Sequence, residues 1–131
     1  MKRVVAVVAV VAASFTIAGV ASARVPTTIN FSEFLGPDST DVLAVGSLDS
    51  PKAKCKAGRT VKFFVFRILM KRQGPVERRF LVDIDRSSHF GAWAVRGNVL
   101  GATGGEVTVT KKKLGHGQGS CAAAKLPLKF S

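Results

Sequence analysis

The sequence predicts an all-β protein: an antiparallel β-sandwich of seven or eight short strands, closed by one disulfide. Three observations lead there. β-Branched and aromatic residues gather in short runs, several with the apolar–polar alternation of a half-buried strand. Clusters of Gly, Pro, Asn and Asp punctuate those runs at regular spacing. The chain also carries two cysteines, Cys55 and Cys121, behind a start that reads as an export signal.

That start has three parts. Lys2 and Arg3 are basic, Val4 to Val20 is apolar apart from Ser14 and Thr16, and Ala21-Ser22-Ala23 supplies the small residues of a cleavage site. This is the layout of a secretory signal peptide over residues 1–23. Cleavage there leaves residues 24–131 as a single β-sandwich domain. The alternative is an uncleaved membrane anchor, because the apolar run nearly reaches spanning length. The Ala-x-Ala site and the polar residues after it favour cleavage. In an oxidising compartment Cys55 and Cys121 are expected to pair, and two cysteines allow only one intramolecular connectivity. Free buried thiols and a two-cysteine metal site are the alternatives, and no metal-ligand spacing accompanies the pair.

Along the domain, Thr28 to Phe34 alternates and reads as a strand, followed by a Gly36-Pro37-Asp38 turn. Val42 to Leu48 is a second strand, and Pro51 to Gly58 a basic loop around Cys55. Thr60 to Met70 is the strongest strand, dense in Val, Phe, Ile and Leu, and Gln73-Gly74-Pro75 ends it. Arg78 to Ile84 alternates, which predicts Phe80, Val82 and Ile84 facing the core and Asp83 and Asp85 facing solvent. Phe90 to Arg96 follows, with Trp93 and Val95 inward. Glu106 to Lys111 comes next, with Val107 and Val109 inward. Gly115 to Gly119 leads to Cys121. Cys121 to Lys125 is alanine-rich and short enough only for a helical turn. Leu126, Leu128 and Phe130 form the last strand.

Several of these stretches together resemble a known class. Gly46-Ser47-Leu48-Asp49-Ser50 precedes Cys55, and Gly58-Arg59-Thr60-Val61 follows it. Asp85 then precedes Gly91-Ala92-Trp93, and Val107-Thr108-Val109 precedes Cys121. Over roughly residues 42–131 this resembles small exported actinobacterial proteins with a transthyretin-like sandwich, akin to carboxypeptidase regulatory-like domains. The resemblance implies an immunoglobulin/transthyretin-like sandwich outside the cytoplasm, with the late cysteine paired to the early one. It implies no reaction. This chain differs in having no tyrosine and in a Thr60–Met70 strand that is apolar on both faces.

The charge is strongly basic. The whole chain is +12, and without Lys2 and Arg3 it holds 18 basic and 8 acidic side chains, a net of +10. Outside a cell the available anions are envelope polymers, acidic lipid head groups and stray nucleic acid. High net charge also serves plain solubility. Lys52, Lys54 and Lys56 in one loop, and Lys111, Lys112 and Lys113 in another, are the candidate anion-binding residues.

Catalytic patterns are thin. Asp83, Asp85 and His89 lie near one hairpin and could in principle hold a metal or move a proton. A solvated polar turn explains them better, and the calcium-loop pattern fails at its fifth and sixth positions, Ser87 and Ser88. His116 sits in a glycine-rich loop that lacks phosphate-loop spacing. No Gly-x-Ser-x-Gly elbow exists. Asn30-Phe31-Ser32 is a formal glycosylation sequon with no expected role. Phe64, Phe66, Ile68 and Met70 share one face of their strand, and such a row is rarely left in water. Cover by Ile29 to Phe34 is the expected solution, and a protein-contact surface centred on Phe64 and Phe66 the alternative.

The expected protein is therefore a secreted, non-enzymatic sandwich that binds anionic envelope polymer or serves as a structural part of the cell exterior. It has no cofactor, no metal and no specific nucleic acid, and touches membrane only through an uncleaved signal. The second reading is a secreted effector or inhibitor that binds another exported protein through the Phe64/Phe66 strand.

Overall fold

The computed structural model describes residues 24–35 and 40–129, without the side chains of residues 33–35. The predicted signal peptide, the Gly36-Pro37-Asp38 turn and Phe130 lie outside the described residues. The described strands are β1 (Arg24–Val25), β2 (Thr28–Leu35), β3 (Asp41–Asp49), β4 (Thr60–Lys71), β5 (Gly74–Arg86), β6 (Ala92–Asn98), β7 (Gly104–Val109), β8 (Lys112–Lys113), β9 (Ser120–Cys121) and β10 (Ala124–Leu128). A single 3-10 turn, Ala53–Cys55, is the helical element among them. No described helix is long and apolar enough to cross a membrane.

Two sheets enclose the core. One has the order β10-β7-β4-β5 and the other β2-β3-β6; both are antiparallel throughout. A small third sheet, β1-β9-β8, sits beside them, with β1 parallel to β9. Val61, Phe63, Val65, Val107, Val109, Leu126 and Leu128 of the four-stranded sheet pack against Ile29, Ala44, Leu48, Trp93 and Val95 of its partner. Trp93, Val95, Val107 and Val109 thus point inward, as their alternation predicts. The alanine-rich Cys121 to Lys125 stretch is divided between β9 and β10 and is not helical.

One strand departs from its predicted phase. Opposite β4, the register passes from Phe63↔Asp83 to Phe64↔Leu81, so Val82 is an extra residue in β5. A bulge of this kind switches which parity faces inward. Phe80 and Val82 still pack on the core, but beyond the bulge Ile84 turns outward and is 52% exposed. Asp83 and Asp85 take the inner side instead of solvent. Their Oδ2 atoms accept the backbone N–H groups of Arg96 and Ala94 at 2.8 and 2.9 Å. These donors lie on the edge of β6 that no described strand covers.

Close packing fixes the facing sheet. Gly46 lies opposite Trp93, and the indole crosses it where a side chain would stand. A Cβ at Gly46 would overlap the Asn30 carbonyl oxygen and lie 2.5 Å from Trp93 Cζ2. The carbonyl belongs to a paired strand and cannot yield locally. Gly46→Ala is expected to destabilise the protein by about 3 kcal/mol, the upper end of overpacking effects, with a matching fall in the urea midpoint. A change below about 0.5 kcal/mol, the size typical of a surface substitution, would show that β3 and β6 adjust freely here.

Candidate anion-binding site

The basic loop between β3 and β4 is built to bury its cysteine and display its lysines. In the 3-10 turn, Cys55 N–H donates to Lys52 O at 2.9 Å and Lys56 N–H to Ala53 O at 3.0 Å. Gly58 closes the turn at φ +62°, a left-handed conformation that favours glycine. Cys55 is fully buried, Lys52 and Lys54 are exposed, and Lys56 is half-buried. Ser87, just after β5, clamps the loop from below: its Oγ donates to Lys56 O at 2.7 Å and accepts Arg59 N–H at 2.8 Å.

The Cys55–Cys121 bond is present, with Cα atoms 5.5 Å apart. It ties this loop to β9, where Cys121 lies between Val25 of β1 and Lys112 of β8. Lys112 completes the junction. Its Nζ donates to the carbonyls of Lys54 and Ala57, both at 3.0 Å. The structure therefore brings the two predicted lysine groups together, and Lys112 is the stitch between them. Arg24 and Lys113 flank Ser120 in the small sheet, adding another cation to the same end. Lys111 and Lys113 are exposed. Neither the stretch from Ser50 to Lys62 nor that from Thr110 to Ser131 contains an acidic residue.

Beneath this surface lies a cation that the sequence reading leaves without a role. Arg59 is only 1% exposed. Its Nη1 donates to Thr27 Oγ1 at 3.0 Å and Cys55 O at 2.7 Å, and its Nη2 to Thr110 O at 2.7 Å and Ala122 O at 2.8 Å. All four acceptors are neutral. Burial lowers the guanidinium's pKa from its ordinary value, yet arginine starts high enough to stay charged at neutral pH. One buried charge thus ties together four chain segments and adds to the positive potential above it. Sequence signals it faintly: Arg59 stands between a turn glycine and a strand start, but amid lysines it looks like one more surface charge.

The remaining candidates separate. The carboxylates of Asp83 and Asp85 accept backbone N–H groups of β6, and exposed His89 sets its ring edge-on to Phe90 at 5.3 Å. Among the described residues no three His, Cys, Asp or Glu side chains come together as a metal-binding set. His116 lies exposed in a loop closed by Leu114 N–H to Gly119 O and Gln118 N–H to Gly115 O, both 3.0 Å. A shallow hollow of about 450 Å3 borders Trp93 and Asp85, and Asp85 already holds Ala94 N–H there.

Phe64 and Phe66 are covered differently from the expectation. Ile29 belongs to the core of the opposite sheet, so the Ile29 to Phe34 segment does not lie over them. Cover comes from their own sheet. The Arg79 guanidinium sits 4.0 Å above the Phe64 ring and pairs with Glu106 at 2.7 Å, and Glu106 is itself 6% exposed. Both phenylalanines end half-buried. No protein-family model, curated protein or solved structure matches this chain.

Proposed function

We propose that this is an exported, non-catalytic sandwich that binds anionic envelope polymer through its disulfide end. The observation that carries the reading is the Lys112 junction. It ties the loop of Lys52, Lys54 and Lys56 to the segment of Lys111 and Lys113, both on acid-free chain and beside the buried charge of Arg59. A polyanion meeting several fixed ammonium groups gains an attraction that salt screens over about 10 Å at 0.1 M. The disulfide is consistent with an oxidising exterior. A protein partner docked on Phe64 and Phe66 draws less support, because Arg79 and Glu106 already occupy the surface over Phe64.

Two variants of equal net charge test this reading. Lys54→Gln/Lys111→Gln/Lys113→Gln removes three charges from the proposed surface, and Arg78→Gln/Arg96→Gln/Lys129→Gln removes three exposed charges away from the disulfide end. On purified cell wall at low salt, the first is expected to lose about tenfold or more in affinity and the second under about threefold, given roughly 0.5–1 kcal/mol per ion contact. Equal losses would reduce the binding to net charge and overturn the site.

A further inference from the structure

The β4–β5 hairpin outruns its sheet. β7 pairs with β4 only as far as Phe66↔Gly104, while β4 and β5 continue to pair with each other through Arg67↔Arg78, Ile68↔Glu77, Leu69↔Val76, Met70↔Pro75 and Lys71↔Gly74. The end of the hairpin is thus a two-stranded ribbon. It lies at the far end of β4 from the disulfide, roughly 36 Å along the strand at 3.3 Å per residue.

Its composition is unusual for a free ribbon. Met70 is 77% exposed, Ile68 45% and Val76 39%. Ile68 and Met70 stand on one face, Leu69 and Val76 on the other, so apolar side chains wrap the end on both sides. Leu100, 65% exposed, joins them beside the arm, because Arg67 Nη2 and Nε donate to Asn98 O and Leu100 O. Lys71, Arg72 and Arg78 are exposed around this apolar end. The arm's one acid, Glu77, already accepts the Thr103 hydroxyl at 2.8 Å.

We infer that this tip is an interfacial anchor for an anionic lipid surface. A convex end, apolar on both faces, has no single side to offer a protein groove, whereas a bilayer interface deforms around it. The turn Lys71-Arg72-Gln73 leads. At the roughly 5–10 Å depth of interfacial segments, Met70 and Ile68 enter behind it, and the Lys71 and Arg72 stems run back along the arm so that their charges stay among the head groups. Like charge on Lys71, Arg72 and Arg78 opposes a second copy of this chain in the same place. Each lysine or arginine near an anionic membrane strengthens binding about fivefold. This site is separate from the disulfide end and does not depend on its function.

Sedimentation with vesicles tests the inference, using mature protein whose N-terminus is set by intact mass. Binding is expected to phosphatidylcholine vesicles containing about 30 mol % phosphatidylglycerol, and to be at least tenfold weaker without the anionic lipid. Lys71→Gln/Arg72→Gln is expected to weaken binding about twenty- to thirtyfold, and the charge-neutral Ile68→Ser/Met70→Ser at least tenfold. All four positions face water or nearly so, and retained wild-type circular dichroism confirms folding. Met70→Trp adds a direct reading, a blue shift of emission on anionic vesicles that persists in the Lys54→Gln/Lys111→Gln/Lys113→Gln background. No binding to anionic vesicles overturns the proposal. So does binding that the serines leave unchanged, because that is adsorption by charge without insertion.

Discussion

Replacing Arg59 with methionine is expected to lower the free energy of unfolding by about 3–5 kcal/mol, the largest effect of any single side chain outside the apolar core. The stem survives in this variant and the donors do not. Four acceptors, on Thr27, Cys55, Thr110 and Ala122, then lose their partner, the Cys55 carbonyl in a buried site and the other three in part-buried ones. Each unmet buried group costs about 1–3 kcal/mol, and relief of the desolvated charge offsets part of the sum. Arg59→Lys is expected to fare little better, since one ammonium cannot reproduce a planar fork with four bonds. Urea unfolding with the disulfide intact checks this. A loss under about 1 kcal/mol would mean that the four carbonyl and hydroxyl groups find other donors.

Removing the disulfide is the second large effect. Cys55 and Cys121 are 66 residues apart, and Cys55→Ser/Cys121→Ser is expected to cost about 4 kcal/mol by release of loop-closure entropy. The denatured chain becomes larger, so the urea m-value should rise as the midpoint falls. The two effects are coupled. Arg59 holds the Cys55 carbonyl, so once the bond is gone the loop that presents that carbonyl is loosened. The triple variant is expected to lose less than the two changes added, by about 0.5–3 kcal/mol. Strict additivity would mean that the arginine junction and the disulfide act independently.

Much of the fold is legible in the sequence because alternation reports burial directly. Trp93 with Val95, and Val107 with Val109, each lie two apart and share a face, as strand geometry requires. The phase of β5 is legible only up to Val82. A bulge leaves no mark in a pattern of period two, so Asp83, Ile84 and Asp85 each come out on the opposite side from the one the alternation assigns. β4 ends one residue past its predicted Met70, but the start of β5 is missed: Gly74 to Glu77 pair with β4 while burying little, so no alternation signals them. At the candidate site the lysines are visible by density of charge. Their convergence is not, because it depends on one ammonium reaching two carbonyls 55 and 58 residues away. Arg59 is hidden for the opposite reason: a buried cation satisfied by main-chain oxygens needs no acidic residue in the sequence to betray it.

The two aspartates turned inward by the Val82 bulge also bear on what this chain does in bulk. β6 is the outer strand of its sheet, and its free amides are the positions at which a stray chain could add and then template another. Asp83 and Asp85 occupy two of those amides with carboxylates from the neighbouring sheet. An incoming strand would have to displace both and settle beside their charges. The irregularity that spoils the alternation of β5 thus blocks two of the amides on this edge at which strand addition would begin.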